Sequence, residues 1–326
     1  MAKKQKHQTS TLPWQGKGWR PEYKGLLPFE WVVLAYILFT SAIVLFTSTK
    51  MANPEAMIWG RIRVGAMTIA LWIVYRMLPC KLTMFMRVGA QMALLAWWYP
   101  DTFELNRLFP NLDHVLATWE QQLFGFQPAL IFARTFSSPI ISELMDCGYV
   151  SYFPMIATII LFYFFRRYDE FQRTVFVILA SFFTYYVIFD LVPVVGPTFY
   201  YKAIGLHNVA QGVFPNVHDY FNLHQDCLSS PGYAQGFFYD LVEDAKAAGE
   251  RPTAAFPSSH VGVATICILF ACQTKNRTLL LSLLPFYVFL CMATVYIQAH
   301  YAIDVVAGFI TGVAFYFIFK WLYPQR

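Results

Sequence analysis

The chain has 326 residues, of which 57% are hydrophobic and 13% are charged, with a formal net charge of +5. Soluble domains have roughly 45–50% apolar and about 25% charged residues, so this composition excludes an ordinary soluble globule. The apolar residues form runs that can cross a hydrocarbon core, which takes roughly 20 helical residues. We therefore predict an all-α polytopic membrane protein, because lipid offers backbone groups no partners and the alternation of a β-barrel is absent.

Eight apolar runs predict about eight transmembrane helices. The second, third and sixth runs are the weakest, because Arg61 and Arg63 lie early in the second, Arg87 lies inside the third, and the sixth is short. The eight runs lie near residues 29–46, 57–78, 83–99, 143–165, 174–192, 260–272, 278–297 and 300–322.

The lysines and arginines favour one side of these crossings. Eight crossings put both termini on the same side, where sixteen of the 24 basic residues fall, and the positive-inside rule makes that side the cytoplasm. The tail at 1–28 is then a solvated cytoplasmic flank, for which we predict no nucleic-acid partner. The triplet Asn276-Arg277-Thr278 would also be cytoplasmic, which favours a bacterial inner membrane, with the site facing the periplasm, over the lumenal face of a secretory organelle.

Two predicted outward segments interrupt the helices. Residues 100–142 follow the N-terminal transmembrane helices at 29–99 and predict a short interfacial helix, either a surface packing element or a substrate gate. Residues 193–256 divide the C-terminal membrane region at 143–326 and are longer than a connection needs, which is typical of a lid, a binding loop or a disordered segment. The aromatic residues of the first segment are Trp119, Phe124, Phe126, Phe132 and Phe136.

A candidate anion site begins at Pro257-Ser258-Ser259-His260, just before the sixth run. Proline at the first helical position with serines beside it predicts a helix start, whose free amides and positive dipole end attract anions. His260 would then lie in the first helical turn beside a bound phosphate. A simple helix cap followed by an interfacial histidine explains the same four residues.

A second element is His300-Tyr301-Ala302-Ile303-Asp304. The spacing of four places His300 and Asp304 on one helical face, where the carboxylate can hold the imidazole N–H and fix its tautomer. An ionisable pair in an apolar helix is costly and indicates a functional site, although a buried pair that only joins helices is the alternative. Both histidines would open helices that enter from the same membrane face.

These residues resemble the type 2 phosphatidic acid phosphatase (PAP2) superfamily. Phe256-Pro257-Ser258-Ser259-His260 is similar to its PSGH signature, and His300 with Asp304 matches the end of its SRxxxxxHxxxD signature. Ala293 and Thr294 stand where that signature has serine and arginine. The sequence from Thr294 to Val305 is instead similar to the sphingolipid-synthase branch, which includes inositol phosphorylceramide synthase.

The resemblance extends over roughly residues 101–321 and implies a six-helix catalytic core. The first phosphatase signature, KxxxxxxRP, is approximated only by Lys246 and Arg251-Pro252, with four residues between them instead of six. The cation that binds phosphate is therefore left open by the sequence.

The resemblance implies a mechanism without metal or other cofactor. His300, oriented by Asp304, attacks phosphorus to form a phosphohistidine, while His260 protonates the departing alkoxide; an alcohol or water then attacks the intermediate. The candidate ligands are Ser258, Ser259, Arg251, Lys246 and Lys202 for phosphate and Tyr301 for substrate.

Three functions remain open at this point. The first is a lipid phosphotransferase that moves a phospho-headgroup, for example phosphoinositol from phosphatidylinositol, to a ceramide-like alcohol. The second is a lipid phosphate phosphatase acting on phosphatidate, undecaprenyl diphosphate or a phosphatidylinositol phosphate. The third is a non-catalytic membrane protein that keeps the fold. Membrane lipids are the expected partners, and the sequence does not indicate an oligomeric state.

Overall fold

The computed structural model describes residues 25–323, and this range contains helices and no strand. Most of the predicted basic tail therefore lies outside the described residues. The fourteen α-helices of the described range are α1 (Pro28–Thr47), α2 (Pro54–Met77), α3 (Lys81–Asn106), α4 (Asp113–Phe124), α5 (Pro128–Thr135), α6 (Pro139–Val150), α7 (Tyr152–Arg166), α8 (Tyr168–Leu191), α9 (Pro197–Ile204), α10 (Leu206–Ala210), α11 (Phe237–Gly249), α12 (Ser259–Gln273), α13 (Arg277–Tyr296) and α14 (Ala302–Leu322).

The helices confirm a polytopic all-α membrane protein. Five described helices, α1, α2, α8, α13 and α14, are long and apolar enough to cross a membrane, and α6 with α7 makes a sixth span if this pair, bent by 46°, counts as one. The predicted number of eight also includes α3, which does not meet this criterion of length and composition, and α12, a shorter apolar helix of 15 residues.

The arginines that interrupt the second and third apolar runs are paired with acids of neighbouring helices. Arg61 on α2 lies 2.6 Å from Asp101 on α3, and Arg87 on α3 forms an ion pair with Glu30 on α1. Both arginines are fully buried. Each buried arginine is thus neutralised by an acid inside the protein, and α1, α2 and α3 need not expose these charges to lipid. Helices α1 and α3 also pack on α8.

The two segments between the long helices are folded rather than open. Residues 100–142 contain the end of α3, then α4, α5 and the start of α6, where the sequence predicted one short helix. Residues 193–256 contain α9, α10 and α11, and buried Phe199, Tyr200 and Tyr201 fix α9 against α4 and the turn before α14. A disordered segment is thus the wrong description of 193–256.

Glycines allow α12 and α14 to touch along their backbones. A Cβ on Gly308 of α14 would collide with the carbonyl oxygen of Ser258, and a Cβ on Gly312 would collide with the carbonyl oxygen of Gly262 on α12. Only glycine permits so close an approach at both places. The contact sets the distance between the beginnings of the two helices.

Gly308→Ala should lower the free energy of unfolding by about 1–3 kcal/mol, because the new methyl group must push α14 away from α12. Unfolding of the purified protein in detergent measures this effect. Gly65→Ala on α2 is the matched control, since no atom lies within 4 Å of its added Cβ, and alanine is favoured over glycine in helices. Equal stability of the two variants would contradict the close contact.

Candidate active site

His260 lies in the first turn of α12, as the sequence predicted. The helix begins at Ser259, and the Ser258 side chain caps it by accepting a 3.4 Å hydrogen bond from the amide of Val261. Pro257 precedes this cap, so the expectation of proline at the first helical position was wrong. The amides of Ser259 and His260 form no hydrogen bond within residues 25–323 and remain available to an anion.

His300 lies in the turn before α14 rather than inside the helix. Its amide donates to the Thr294 carbonyl at 2.9 Å, and its side chain is buried. The ring Nδ1 lies 2.8 Å from the carbonyl oxygen of Ala255 and 3.6 Å from Asp304 Oδ2. The predicted hydrogen bond from the imidazole to Asp304 is therefore replaced by a bond to a backbone carbonyl, with the carboxylate as a near neighbour.

The carbonyl of Ala255 decides the tautomer of His300. A carbonyl oxygen can only accept, so Nδ1 carries the proton and Nε2 presents a lone pair. This Nε2 faces His260 Nδ1 at 3.4 Å. The structure thus brings the two histidines together, with the lone pair of His300 Nε2 opposite a ring nitrogen of His260.

Two tyrosines that the sequence did not single out hold His260. Tyr149 on α6 stacks on the imidazole with ring centroids 4.9 Å apart, and Tyr152 on α7 lies at 4.4 Å. The predicted continuous run 143–165 breaks at Ser151, and the bend turns both tyrosines towards the same ring. The sequence around these tyrosines does not predict the contact, because it depends on the bend between α6 and α7 and on α12, which lies about 100 residues further along the chain.

Burial lowers the pKa of His300 to about 4, although the Ala255 carbonyl and the carboxyl of Glu250 oppose this shift. The usual value for histidine is about 6.5. His300 is therefore neutral at physiological pH, which is the form that a nucleophilic imidazole needs.

The beginning of α14 receives carboxylates from two helices. Asp304 Oδ2 accepts the amide of Tyr301 at 2.8 Å, and Glu120 on α4 accepts the amides of Ala302 and Ile303 at 2.5 and 3.3 Å. Glu120 was not predicted, since a lone glutamate in an amphipathic helix carries no signal of the helix end that it will cap. It ties α4 to the turn that carries His300.

The predicted substrate contact of Tyr301 does not fit its position. The side chain is fully buried, and its hydroxyl donates to Asp113 Oδ1 at 3.0 Å. Ser258, a candidate phosphate ligand, is also buried and its amide donates to the carbonyl of Asp304 at 3.1 Å. Both residues are used to build the site, and Ser259 is the half-buried serine beside His260.

Two of the three candidate cations lie at the surface. Lys202 donates to the carbonyl of Cys227 at 3.1 Å, and Arg251 lies 3.4 Å from the side-chain oxygen of Gln225. Neither forms a hydrogen bond or ion pair with the two histidines within the described chain. Both would have to swing towards the site to reach a phosphate.

Lys246 is the buried candidate cation. It donates to Ser230 Oγ at 2.7 Å and lies 3.2 Å from Glu243. Burial raises the pKa of Glu250, and both Lys246 and His300 oppose that shift, which places the Glu250 carboxyl near both. Glu250 therefore lies between Lys246 and the site, and Lys246 does not contact either histidine directly.

One comparison with known proteins gives a match. A sequence profile described as the PAP2 superfamily matches residues 114–318, well over half of the chain, from α4 to near the end of α14. The match includes both histidines and leaves out α1, α2 and α3. No curated protein and no solved structure matches the chain.

The tautomer and charge of His300 can be measured directly. In protein labelled with ¹⁵N-histidine, we expect the His300 imidazole to stay neutral and protonated on Nδ1 at pH 5.5, because burial lowers its pKa to about 4. The His300→Asn variant should lack this resonance. A titration midpoint near 6.5 for the resonance that the variant loses would contradict this account.

Proposed function

Because this chain belongs to the PAP2 superfamily, we propose that it is a lipid phosphotransferase that works through a phosphohistidine on His300. Membership in the superfamily supports a lipid phosphatase or phosphotransferase type of function. The single observation that carries the proposal is the pair formed by His300 Nε2 and His260 Nδ1, 3.4 Å apart, with the tautomer of His300 fixed by Ala255.

The reaction has two displacement steps at phosphorus. In the first, His300 Nε2 bonds to phosphorus while the bond to the lipid oxygen breaks, and protonated His260 gives its proton to that oxygen. Burial and His300 lower the pKa of His260 to about 3, so the negative charge of the bound phosphate has to keep His260 protonated for this step. In the second, neutral His260 takes the proton of the acceptor alcohol, whose oxygen bonds to phosphorus and releases His300. The amides of Ser259 and His260 are placed to stabilise the charge on the phosphoryl oxygens.

Substrate has to separate the two rings. An attacking atom sits about 3 Å from phosphorus, and the departing oxygen needs a further hydrogen bond of about 3 Å to its proton donor. A nitrogen-to-nitrogen distance of 3.4 Å is too short for both. His300 is anchored by Ala255, so His260, which is half-buried and held by ring contacts, is the group that moves.

Two features support transfer rather than hydrolysis. Thr294, at the position of the phosphatase arginine, is fully buried and its hydroxyl donates to the carbonyl of Cys291 at 3.0 Å, so it supplies no cation. Tyr149 and Tyr152 pack against the His260 ring and cover part of it from water. An alcohol carried on a lipid can enter such a site from the bilayer.

The donor and acceptor follow from the resemblance to the sphingolipid-synthase branch. We propose a glycerophospholipid donor such as phosphatidylinositol and a ceramide-like alcohol as acceptor. The distribution of basic residues supports a site that faces the periplasm of a bacterial inner membrane, or the lumen of a secretory organelle, with both termini cytoplasmic.

A donor lipid labelled with ³²P in its phosphodiester tests the mechanism in mixed micelles. We expect label bound to the denatured protein that survives base and is lost in acid, as a phosphohistidine is, and no label on His300→Asn. The control is His224→Asn, the same substitution at an exposed histidine stacked on Tyr220. Equal labelling of all three proteins would overturn the proposal.

The fate of the label separates transfer from hydrolysis. With ceramide present, the phospho-headgroup should appear in a new lipid, and without an acceptor its release should be slower by at least about tenfold. Release at the same rate without acceptor, or efficient release of inorganic phosphate from phosphatidate, would instead identify a lipid phosphate phosphatase.

A further inference from the structure

The beginning of α14 is capped by two carboxyl groups at once. Glu120 Oε1, from α4, accepts the amides of Ala302 and Ile303, and Asp304 Oδ2 accepts the amide of Tyr301. The N-terminus of a helix carries roughly half a positive charge, which suits one carboxylate rather than two. The geometry therefore favours one negative charge, rather than two, on this pair of carboxyl groups.

Each of the two carboxyls also has an oxygen without a partner. Glu120 Oε2 and Asp304 Oδ1 are buried and form no hydrogen bond within residues 25–323, and both side chains are fully buried. A buried oxygen of this kind costs free energy unless it is satisfied. Glu120 and Asp304 repel each other when both are ionised, so one retained proton removes one of two buried negative charges.

Acids and phenols surround the pair, and none of the ion pairs that a lysine or arginine of residues 25–323 forms includes Glu120 or Asp304. Asp113 on α4 is the third buried carboxyl, and it is fully bonded, because it accepts from Asn111, Tyr301 and the amides of Val195 and Gly196. The other titratable groups that face the pair are Tyr200 and Tyr201 on α9, Tyr301, and His300, with His114 next to Asp113 on α4. No described group of three His, Cys, Asp or Glu residues is arranged to hold a metal ion.

We propose that Glu120 is a positioning residue that keeps one proton, so that Asp304 alone is the anion behind His300. Burial and the neighbouring Asp304 raise the pKa of Glu120 to about 8 against the effect of the two amides. Glu120 then keeps its proton at neutral pH and loses it as the pH rises through 8.

The consequence for catalysis rests on the proposed function. When His300 Nε2 bonds to phosphorus, the imidazole becomes positive, and Asp304 Oδ2 lies 3.6 Å from its Nδ1. A neutral Glu120 leaves Asp304 free to balance that charge without a second buried anion, and its Oε1 still fixes the turn through Ala302 and Ile303.

Thermal unfolding of the full chain in detergent at pH 5.5 and pH 9 tests the proton. The folded-state pKa of Glu120 lies above its ordinary value of 4.5, so its contribution to stability is present at low pH and is lost as the pH rises towards 8. Glu120→Gln keeps the size and the accepting oxygen and cannot ionise. We expect the Tm of wild type to fall between the two pH values by about 3 °C or more beyond the fall of Glu120→Gln.

Glu55→Gln is the control, because Glu55 also lies in the first turn of a helix, α2, but is exposed. Its Tm should follow wild type at both pH values. Parallel curves for wild type and Glu120→Gln would overturn the proposal, and so would a Glu120→Gln protein that fails to fold at pH 5.5.

The pH profile of turnover is the second readout. Wild type should lose activity severalfold between pH 7 and pH 9 as Glu120 ionises, and Glu120→Gln should lose much less over the same range. Equal alkaline losses would overturn the catalytic part of the proposal. The melting measurement needs no substrate, so it keeps its meaning even if the chain proves to have no phosphotransferase activity.

Discussion

The close contact of α12 and α14 determines the geometry of the candidate site. Gly308 and Gly312 let the backbone of α14 lie directly on Ser258 and Gly262, which are at or near the start of α12. His260 is two residues beyond Ser258, and His300 lies just before α14. A side chain at either glycine would separate the helices, and a nitrogen-to-nitrogen distance of 3.4 Å between the histidines would be lost.

The turn before α14 is held from three directions. The carbonyl of Ala255 fixes the His300 ring, Asp304 caps the turn from within its own helix, and Glu120 caps it from α4. Asp113 adds a fourth connection through the hydroxyl of Tyr301. The proposed nucleophile has to be placed within a fraction of an ångström, and this density of hydrogen bonds around one short turn provides that precision.

Helix α4 connects this turn to the protein surface. Its buried side carries Glu120 and Asp113, whereas Trp119 and Leu123 are 58% and 68% exposed. An exposed tryptophan and leucine on a short amphipathic helix are typical of the membrane interface. The prediction of an interfacial element in 100–142 thus has a candidate in α4, which would join the lipid surface to the helix end that holds His300.

The sequence by itself determined the class of the protein and the two histidine motifs of the candidate site. Composition and apolar runs are local properties that predict membrane helices, and a histidine at a helix start or four residues from an aspartate is visible in the chain. Topology then predicted that His260 and His300 meet, and the helices place them together.

Only the tertiary structure decided how these residues are held. The partner of His300 Nδ1 is a backbone carbonyl 45 residues away, and every residue has such a carbonyl, so no side-chain pattern could identify Ala255. Glu120 and the bend between Tyr149 and Tyr152 were missed for a related reason: a cap or a ring stack depends on which helix packs nearby. The ends of helices and the tautomer are decided by packing and burial, which exist only once the chain has folded.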